Sequence, residues 1–171
     1  MQPHYTLMED TPVGRVLAVL EDGELLAIRL NLPADDLTGM LEKIAPLAEP
    51  GGEEAGALEK ALRAYFTGED RRAIARWPVS RKALGGAFRR EVYEALRQVP
   101  AGSTVSYGEL AARVGRPKAA RAVGRAMATN QVPIAIPCHR VLAANGALGG
   151  FTGGLHLKRA LLALEGVPTK G

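Results

Sequence analysis

The first thirty positions hold two dense apolar runs. VGRVLAVL and ELLAIRL, within residues 13–30, are rich in Val, Leu and Ile and are divided by EDGE. Gly23 in that divider can take the positive φ of a tight turn, so the pattern predicts a β-hairpin. The spacing then becomes helical. DDLTGMLEKIAPL (35–47) and AGALEKALRAYF (55–66) repeat apolar residues every three to four positions, and the second places Leu58, Ala61, Leu62, Tyr65 and Phe66 on one side. RRAIARWPV (71–79) predicts a further short strand, and SRKALGG (80–86), with its paired glycines, predicts a linker.

Beyond residue 86 the pattern is helical almost throughout. AFRREVYEALRQV (87–99) sets Phe88, Val92, Ala95, Leu96 and Val99 along one face, and Pro100-Ala101-Gly102 ends it. SYGELAARVGRPKAARAVGRAMATN (106–130) reads as helix, tight turn, helix. Ser106 with Glu109 three residues on is a capping box, Gly115-Arg116-Pro117 breaks the chain, and Pro117 fits the first turn of the second helix. The expectation is two domains, residues 1–79 and 87–171, joined through 80–86.

Charge divides the chain at the same place. Residues 1–85 carry 10 Lys+Arg against 14 Asp+Glu, whereas residues 86–171 carry 12 against 4, within a total of +4. A basic half of this kind suits a polyanion, nucleic acid first, although a solvated basic face has the same composition. In the second helix of the pair, Ala119, Ala122, Val123 and Ala126 form a narrow apolar stripe. Lys118, Arg121 and Arg125 lie along another face behind Arg116, and Ala120 and Gly124 leave part of the surface as nearly bare backbone. That combination lets a helix approach a phosphodiester backbone. A helix pair used only for packing shares the spacing.

With 47% apolar and 23% charged residues the composition is that of a soluble globule. One cysteine excludes an internal disulfide, and His4, His139 and His156 are too scattered to suggest a zinc site, so no metal is expected. No basic patch leads into an apolar stretch, and no apolar run approaches the roughly 18 residues of a membrane span. These features predict a cytoplasmic protein with no membrane partner.

The one cysteine lies in IPCHRV (136–141). A free thiol with a pKa near 8.5 is only slightly ionised at neutral pH and needs a base or a positive charge beside it to react. His139 adjoins Cys138, but neighbouring side chains in an extended chain point to opposite faces, so adjacency alone does not join them. A lone cysteine after the apolar VPIAI is ordinarily packing, and an isolated histidine is ordinarily a hydrogen-bonded core residue.

SYGELA, PKAARAVG, the asparagine before VPI, IPCHRV, GGFTGG and LEG, in that order, resemble the O6-alkylguanine-DNA alkyltransferases, closely over residues 86–167 and in general layout over 1–85. The resemblance implies a mixed α/β (α+β) fold: a small N-terminal ribonuclease-H-like domain with a hairpin sheet, then a mainly helical, winged-helix-like domain containing a helix-turn-helix. It implies direct-reversal repair, with Cys138 accepting an alkyl group from guanine O6, or from thymine O4, in double-stranded DNA. His139 is then the base, acting through a water, Glu165 the carboxylate that orients it, and Asn130 the hinge between the second helix and the reactive segment. Arg121 is the finger that fills the space of a rotated base, Tyr107 helps turn the nucleotide out, and Ala119, Ala120 and Gly124 allow a minor-groove approach. Val141, Phe151 and Thr152 border the flipped base, with main-chain contacts at Cys138, Val141 and Thr152.

The resemblance implies a monomer without cofactor. Phe151 stands where the family usually has tyrosine, and Arg89 where it usually has a polar amide. Taken without the resemblance, Glu165 reads as a solvated helix residue and Asn130 as a C-cap. Two other functions use some of the same residues: an alkyltransferase-like protein that only binds the lesion, against which Cys138 speaks, and a transcription regulator with an incidental thiol.

Overall fold

The N-terminal sheet starts one strand before the apolar runs. In the computed structural model, which describes residues 2–169, β1 (His4–Thr11) pairs antiparallel with β2 (Gly14–Glu21), and β2 pairs antiparallel with β3 (Glu24–Arg29). Asp22 and Gly23 between β2 and β3 have φ of 55° and 77°, the two positive values of a type I′ hairpin turn. Next comes α1 (Leu37–Ile44). The short β4 (Glu49–Pro50) then runs parallel to β1, which gives the order β3-β2-β1-β4. A period-two reading misses β1 because HYTLMEDT is mostly polar and only Thr6 and Met8 are buried.

The continuous burial of Val16–Leu20 follows from cover on both faces of the sheet. On one face Leu17 and Val19 join Leu32 and Ala45, with Leu37, Met40, Leu41 and Ile44 of α1 packed against them. Against β1 and β2 lies α2 (Glu53–Thr67), burying Ala55, Leu58, Ala61, Leu62, Tyr65 and Phe66. Gly68, at φ 82°, caps α2 in the left-handed conformation.

Two expectations change here. The strand expected over 71–79 is instead a short 3-10 turn, Ile74–Arg76, with a single bridge from Val79 to Leu25. Pro78 has no N–H to give a ladder, and it only accepts, from Leu25. The segment 80–86 holds α3 (Arg81–Leu84), started by a hydrogen bond from the Lys82 N–H to Ser80 Oγ at 3.2 Å and carrying a buried Ala83. By backbone proximity the chain divides into two units, residues 1–83 and 84–171.

In the second unit α4 (Ala87–Arg97) buries Val92, Tyr93 and Leu96. Phe88 is only half-buried; the Arg116 guanidinium lies 5.7 Å from its ring centroid, so its aromatic face is used by a cation. Strand β5 (Val105–Ser106) leads into α5 (Tyr107–Arg113), where the capping box forms as expected: Ser106 Oγ accepts from Glu109 N–H and Glu109 Oε1 from Ser106 N–H, both at 3.0 Å. Helix α6 (Ala120–Ala128) starts three residues after Pro117, which lies in the turn rather than in the helix. Strand β6 (Val141–Leu142) pairs parallel with β5, and α7 (Leu155–Leu164) closes the unit. None of the helices in the described residues is long and apolar enough to cross a membrane.

Leu58 lies between α2 and the sheet at 0% exposure. Leu58→Ala should lower the unfolding free energy by about 2–5 kcal/mol in urea titration, because the residual cavity adds to the lost transfer energy.

Candidate active site

The segment that presents Cys138 is built from irregular backbone. Ile134 has φ of 75°, the left-handed region that a β-branched residue strongly disfavours. It is kept there by its surroundings: Ile136 N–H bonds Val132 C=O at 3.0 Å, and Val132, Ile134, Ala135 and Ile136 are buried. Asn130 clasps the segment from outside, its Nδ2 donating to Ile136 C=O at 2.9 Å and its Oδ1 accepting from Val132 N–H at 3.0 Å. The asparagine side chain is thus no C-cap; Thr129 holds that place on α6. Pro137, at φ −80° and ψ 65°, makes an inverse γ-turn closed by the 2.8 Å bond from Cys138 N–H to Ile136 C=O. A single 3-10 turn, Cys138–Arg140, follows.

The two bends send the adjacent side chains of Cys138 and His139 to different surroundings. Cys138 lines a 240 Å³ cavity. Tyr107 of α5 forms one wall, Gly124, Met127 and Ala128 of α6 a second, and Gly150, Phe151 and Thr152 a third. This is below the roughly 300–1,000 Å³ of drug-sized sites and suits one small ring system. His139 is completely buried, with Nε2 2.7 Å from Glu165 Oε2. Its Nδ1 is buried with no hydrogen-bond partner among the described residues.

Glu165 follows the last residue of α7, where the helix dipole disfavours an anion. Arg140 compensates: its Nε donates to Oε1 and its Nη2 to Oε2, both at 2.8 Å, while Nη1 donates to Val99 C=O at 2.8 Å. Burial would raise the Glu165 pKa, but the hydrogen bonds from Arg140 and His139 outweigh it and hold the carboxyl well below the usual range. An ionised carboxylate on Nε2 requires that nitrogen to carry the proton, which leaves the lone pair on Nδ1. Burial pushes the His139 pKa down, against the pull of Glu165, so the ring stays neutral. Burial also pushes the Cys138 thiol up, opposed by a hydrogen bond with Asn130 and by the charge of Lys158.

The remaining residues singled out in the sequence are distributed around this pocket. Tyr107 has a pKa raised by burial, opposed by a hydrogen bond with the Gly150 backbone. A Cβ on Gly124 would sit 4.0 Å from the Tyr107 ring, an ordinary van der Waals contact, so packing against the tyrosine does not itself require glycine there. Thr152 Oγ1 donates to Ala128 C=O at 3.0 Å. Val141 does not line the cavity: it is buried in β6, paired with Val105, and its carbonyl accepts from Lys158 Nζ at 2.6 Å. Arg116, Lys118, Arg121 and Arg125 are exposed, and Ala119 and Ala120 are half-buried.

Sequence reasoning passed over several groups. Tyr93 Oη donates to Ala126 C=O at 2.6 Å, and Arg89 Nη1 donates to Thr129 Oγ1 at 3.0 Å, so α4 fastens the end of α6. Arg140 and Lys158 were not singled out. Lys158 had a legible signal, a charge among Leu157, Leu161 and Leu162 on the buried stripe of α7. Arg140 had none, because its partners are Glu165 and Val99, far away in sequence.

The pair His139–Glu165 makes stability pH-dependent with a definite sign. His139 has a folded pKa below its ordinary 6.5, so as pH falls the unfolded chain takes that proton first and stability drops. Glu165 is depressed below 4.5, so its contribution is present above that value and is lost as pH falls toward the folded pKa. Urea midpoints should therefore fall from pH 7 to pH 4. Glu165→Gln, which strands Arg140 in the interior, should cost about 3–5 kcal/mol at pH 7, and its deficit against the wild-type chain should shrink below pH 4.

Comparison with known proteins gives consistent matches. The family model described as 6-O-methylguanine DNA methyltransferase, DNA binding domain, matches residues 87–167. A methylated-DNA–protein-cysteine methyltransferase of Mycolicibacterium paratuberculosis is 48% identical over 158 residues, covering 91% of this chain and 88% of that protein. The constitutive methylated-DNA–protein-cysteine methyltransferase of Bacillus subtilis is 36% identical over 168 residues, 98% of each chain. The crystal structure of Mycobacterium tuberculosis OGT in complex with DNA superposes with a TM-score of 0.75 at 34% identity, over 95% of this chain and 92% of the other. O6-methylguanine-DNA methyltransferase from Pyrococcus kodakaraensis gives 0.75 at 28% identity, over 95% and 99%.

Proposed function

We propose, since this chain belongs to the methylated-DNA–protein-cysteine methyltransferase family, that it repairs DNA directly by moving an alkyl group from O6 of guanine to Cys138. The observation that carries this reading is that Cys138 lines a base-sized cavity and is followed in the chain by His139, which is buried and paired with Glu165. The reaction belongs to residues 87–171.

The resting sulfur is a thiol, since burial opposes its ionisation. His139 is the base: it is neutral, its Nδ1 carries the lone pair, and that nitrogen has no hydrogen-bond partner among the described residues. One water relays the proton from Sγ to Nδ1. The sulfur electron pair forms the S–C bond to the alkyl carbon, the C–O6 bond breaks with its pair going to O6, and the guanine takes up a proton from water, to which His139 returns the one it received. Tyr107 keeps its own proton, because burial raises its pKa, and donates a hydrogen bond to the leaving base. A thioether is not hydrolysed, so each molecule acts once. Phe151, in place of a tyrosine, removes one hydroxyl from the wall of the pocket.

A base inside a duplex must leave the stack to reach this pocket. Gly124, Ala119 and Ala120 give α6 a low surface for the minor groove. Arg116, Lys118 and Arg125 meet phosphates, and Arg121 fills the space of the extruded base. Asn130 keeps the reactive turn joined to α6, and Val141 supports it from β6 by its backbone. The protein works as a single chain on double-stranded DNA. A purely lesion-binding role leaves the buried thiol and its histidine without use.

Incubating the protein with duplex containing O6-methylguanine should add one methyl mass to the Cys138 peptide, and Cys138→Ser should remove that addition. An unmodified peptide from protein that still binds the lesion would refute transfer. Arg121→Ala should slow transfer from duplex by about tenfold or more, since a flipped base costs a few kcal/mol of lost stacking, and should leave transfer from free O6-methylguanine nearly unchanged. Single-turnover rates on the two substrates decide this, and equal slowing on both would count against a role in flipping.

A further inference from the structure

Lys158 is a lysine with no exposed surface, set among the leucines of α7. Its Nζ donates to two carbonyls, Val141 C=O at 2.6 Å and Gly150 C=O at 3.1 Å. These belong to different parts of the site. Val141 is in the strand directly after the nucleophile turn, and Gly150 is in the loop that walls the cavity.

The loop GGFTGG has little side chain with which to anchor itself, since four of its six residues are glycine. Two of its other ties are made to residues that line the cavity. Thr152 Oγ1 bonds Ala128 C=O at 3.0 Å, and the Gly150 backbone bonds Tyr107. Gly149, at φ 70°, lies so close to Tyr107 that a Cβ would be 2.8 Å from its hydroxyl. An apolar side chain of similar length would fill the position of Lys158 without the cost of burying an ammonium. Burial pushes its pKa down to about 8, so at neutral pH most of the population carries the charge.

That charge acts on the reactive turn, favouring an anionic sulfur at Cys138 and a neutral ring at His139. The other segments it touches, β6 and the loop through Gly154, contain no ionisable side chain. On α7 itself, His156 and Arg159 are exposed, and Glu165 is taken by Arg140 and His139.

We propose that Lys158 is a positioning residue for alkyl transfer: its ammonium pins the Gly150 wall of the pocket to the Val141 strand and holds a positive charge near the Cys138 sulfur. This rests on the reading above that Cys138 is the acceptor.

The test compares the full chain with Lys158→Met in two assays. One is the single-turnover rate on O6-methylguanine duplex. The other is the rate at which the neutral probe iodoacetamide alkylates Cys138 between pH 6 and pH 10. The variant should slow transfer at pH 7 by at least about tenfold, equivalent to about 1.4 kcal/mol of barrier. It should also move the rise in iodoacetamide reactivity to higher pH. Lost packing alone would slow transfer but leave that profile in place, so an unchanged profile overturns the proposal, as does an unchanged transfer rate. If a thermal melt shows that Lys158→Met does not fold, Lys158→Gln, which keeps a donor but no charge, is judged by the same two outcomes. A wild-type chain that takes no methyl from DNA would instead defeat the acceptor reading, and the iodoacetamide profile would still decide the charge assigned to Lys158.

Discussion

A buried carboxylate held by a buried guanidinium organises the second unit. Glu165 sits where both burial and the end of α7 oppose a negative charge, and the two-point contact from Arg140 keeps it ionised. The consequences run in three directions. Arg140 also bonds Val99 C=O, so the pair joins the chain just past α4 to the nucleophile turn and to the end of α7. The ionised carboxylate sets the tautomer of His139. The tautomer leaves the lone pair of the imidazole on Nδ1, where the proposed reaction needs a base.

The reactive turn is over-determined, which is how it retains an unfavourable conformation. Ile134 in the left-handed region costs on the order of 1–3 kcal/mol, and the clasp of Asn130 together with the burial of Ile134 itself and of Val132, Ala135 and Ile136 holds it there. The same economy is seen at α6. Tyr93 and Arg89 fasten its C-terminal end from α4, while its basic face stays open to solvent. A nucleophile and a basic helix are thereby carried on supports with little freedom to shift, which places a reacting group within the tolerance that chemistry demands.

In the proposed reaction the protein is consumed, so the site has no need to release a product from the sulfur or to regenerate the thiol. What it does need is a thiol that stays protonated until a base is in place. Burial raises the sulfur pKa, whereas Asn130 and Lys158 lower it, and His139 stays neutral.

Local features of the fold were legible in the chain itself. The hairpin at EDGE, the helices over 55–66 and 87–99 and the capping box at Ser106 depend on spacing and turn chemistry within a few residues, and they form where that chemistry puts them. The polar strand β1 did not show, because its partners define it, and the segment 71–79 turned away from strand once Pro78 removed a donor. The sequence raised Cys138 and His139 as candidates by residue type, while their roles, like those of Glu165 and Asn130, came by resemblance. It could not say which way two adjacent side chains point, nor that Arg140 and Lys158 are buried. His139 meets Glu165 across 26 residues and Arg140 meets Val99 across 41. Contacts at that separation arise only when the helices and the irregular turn pack together, and they decide the charge and tautomer on which the chemistry of the thiol depends.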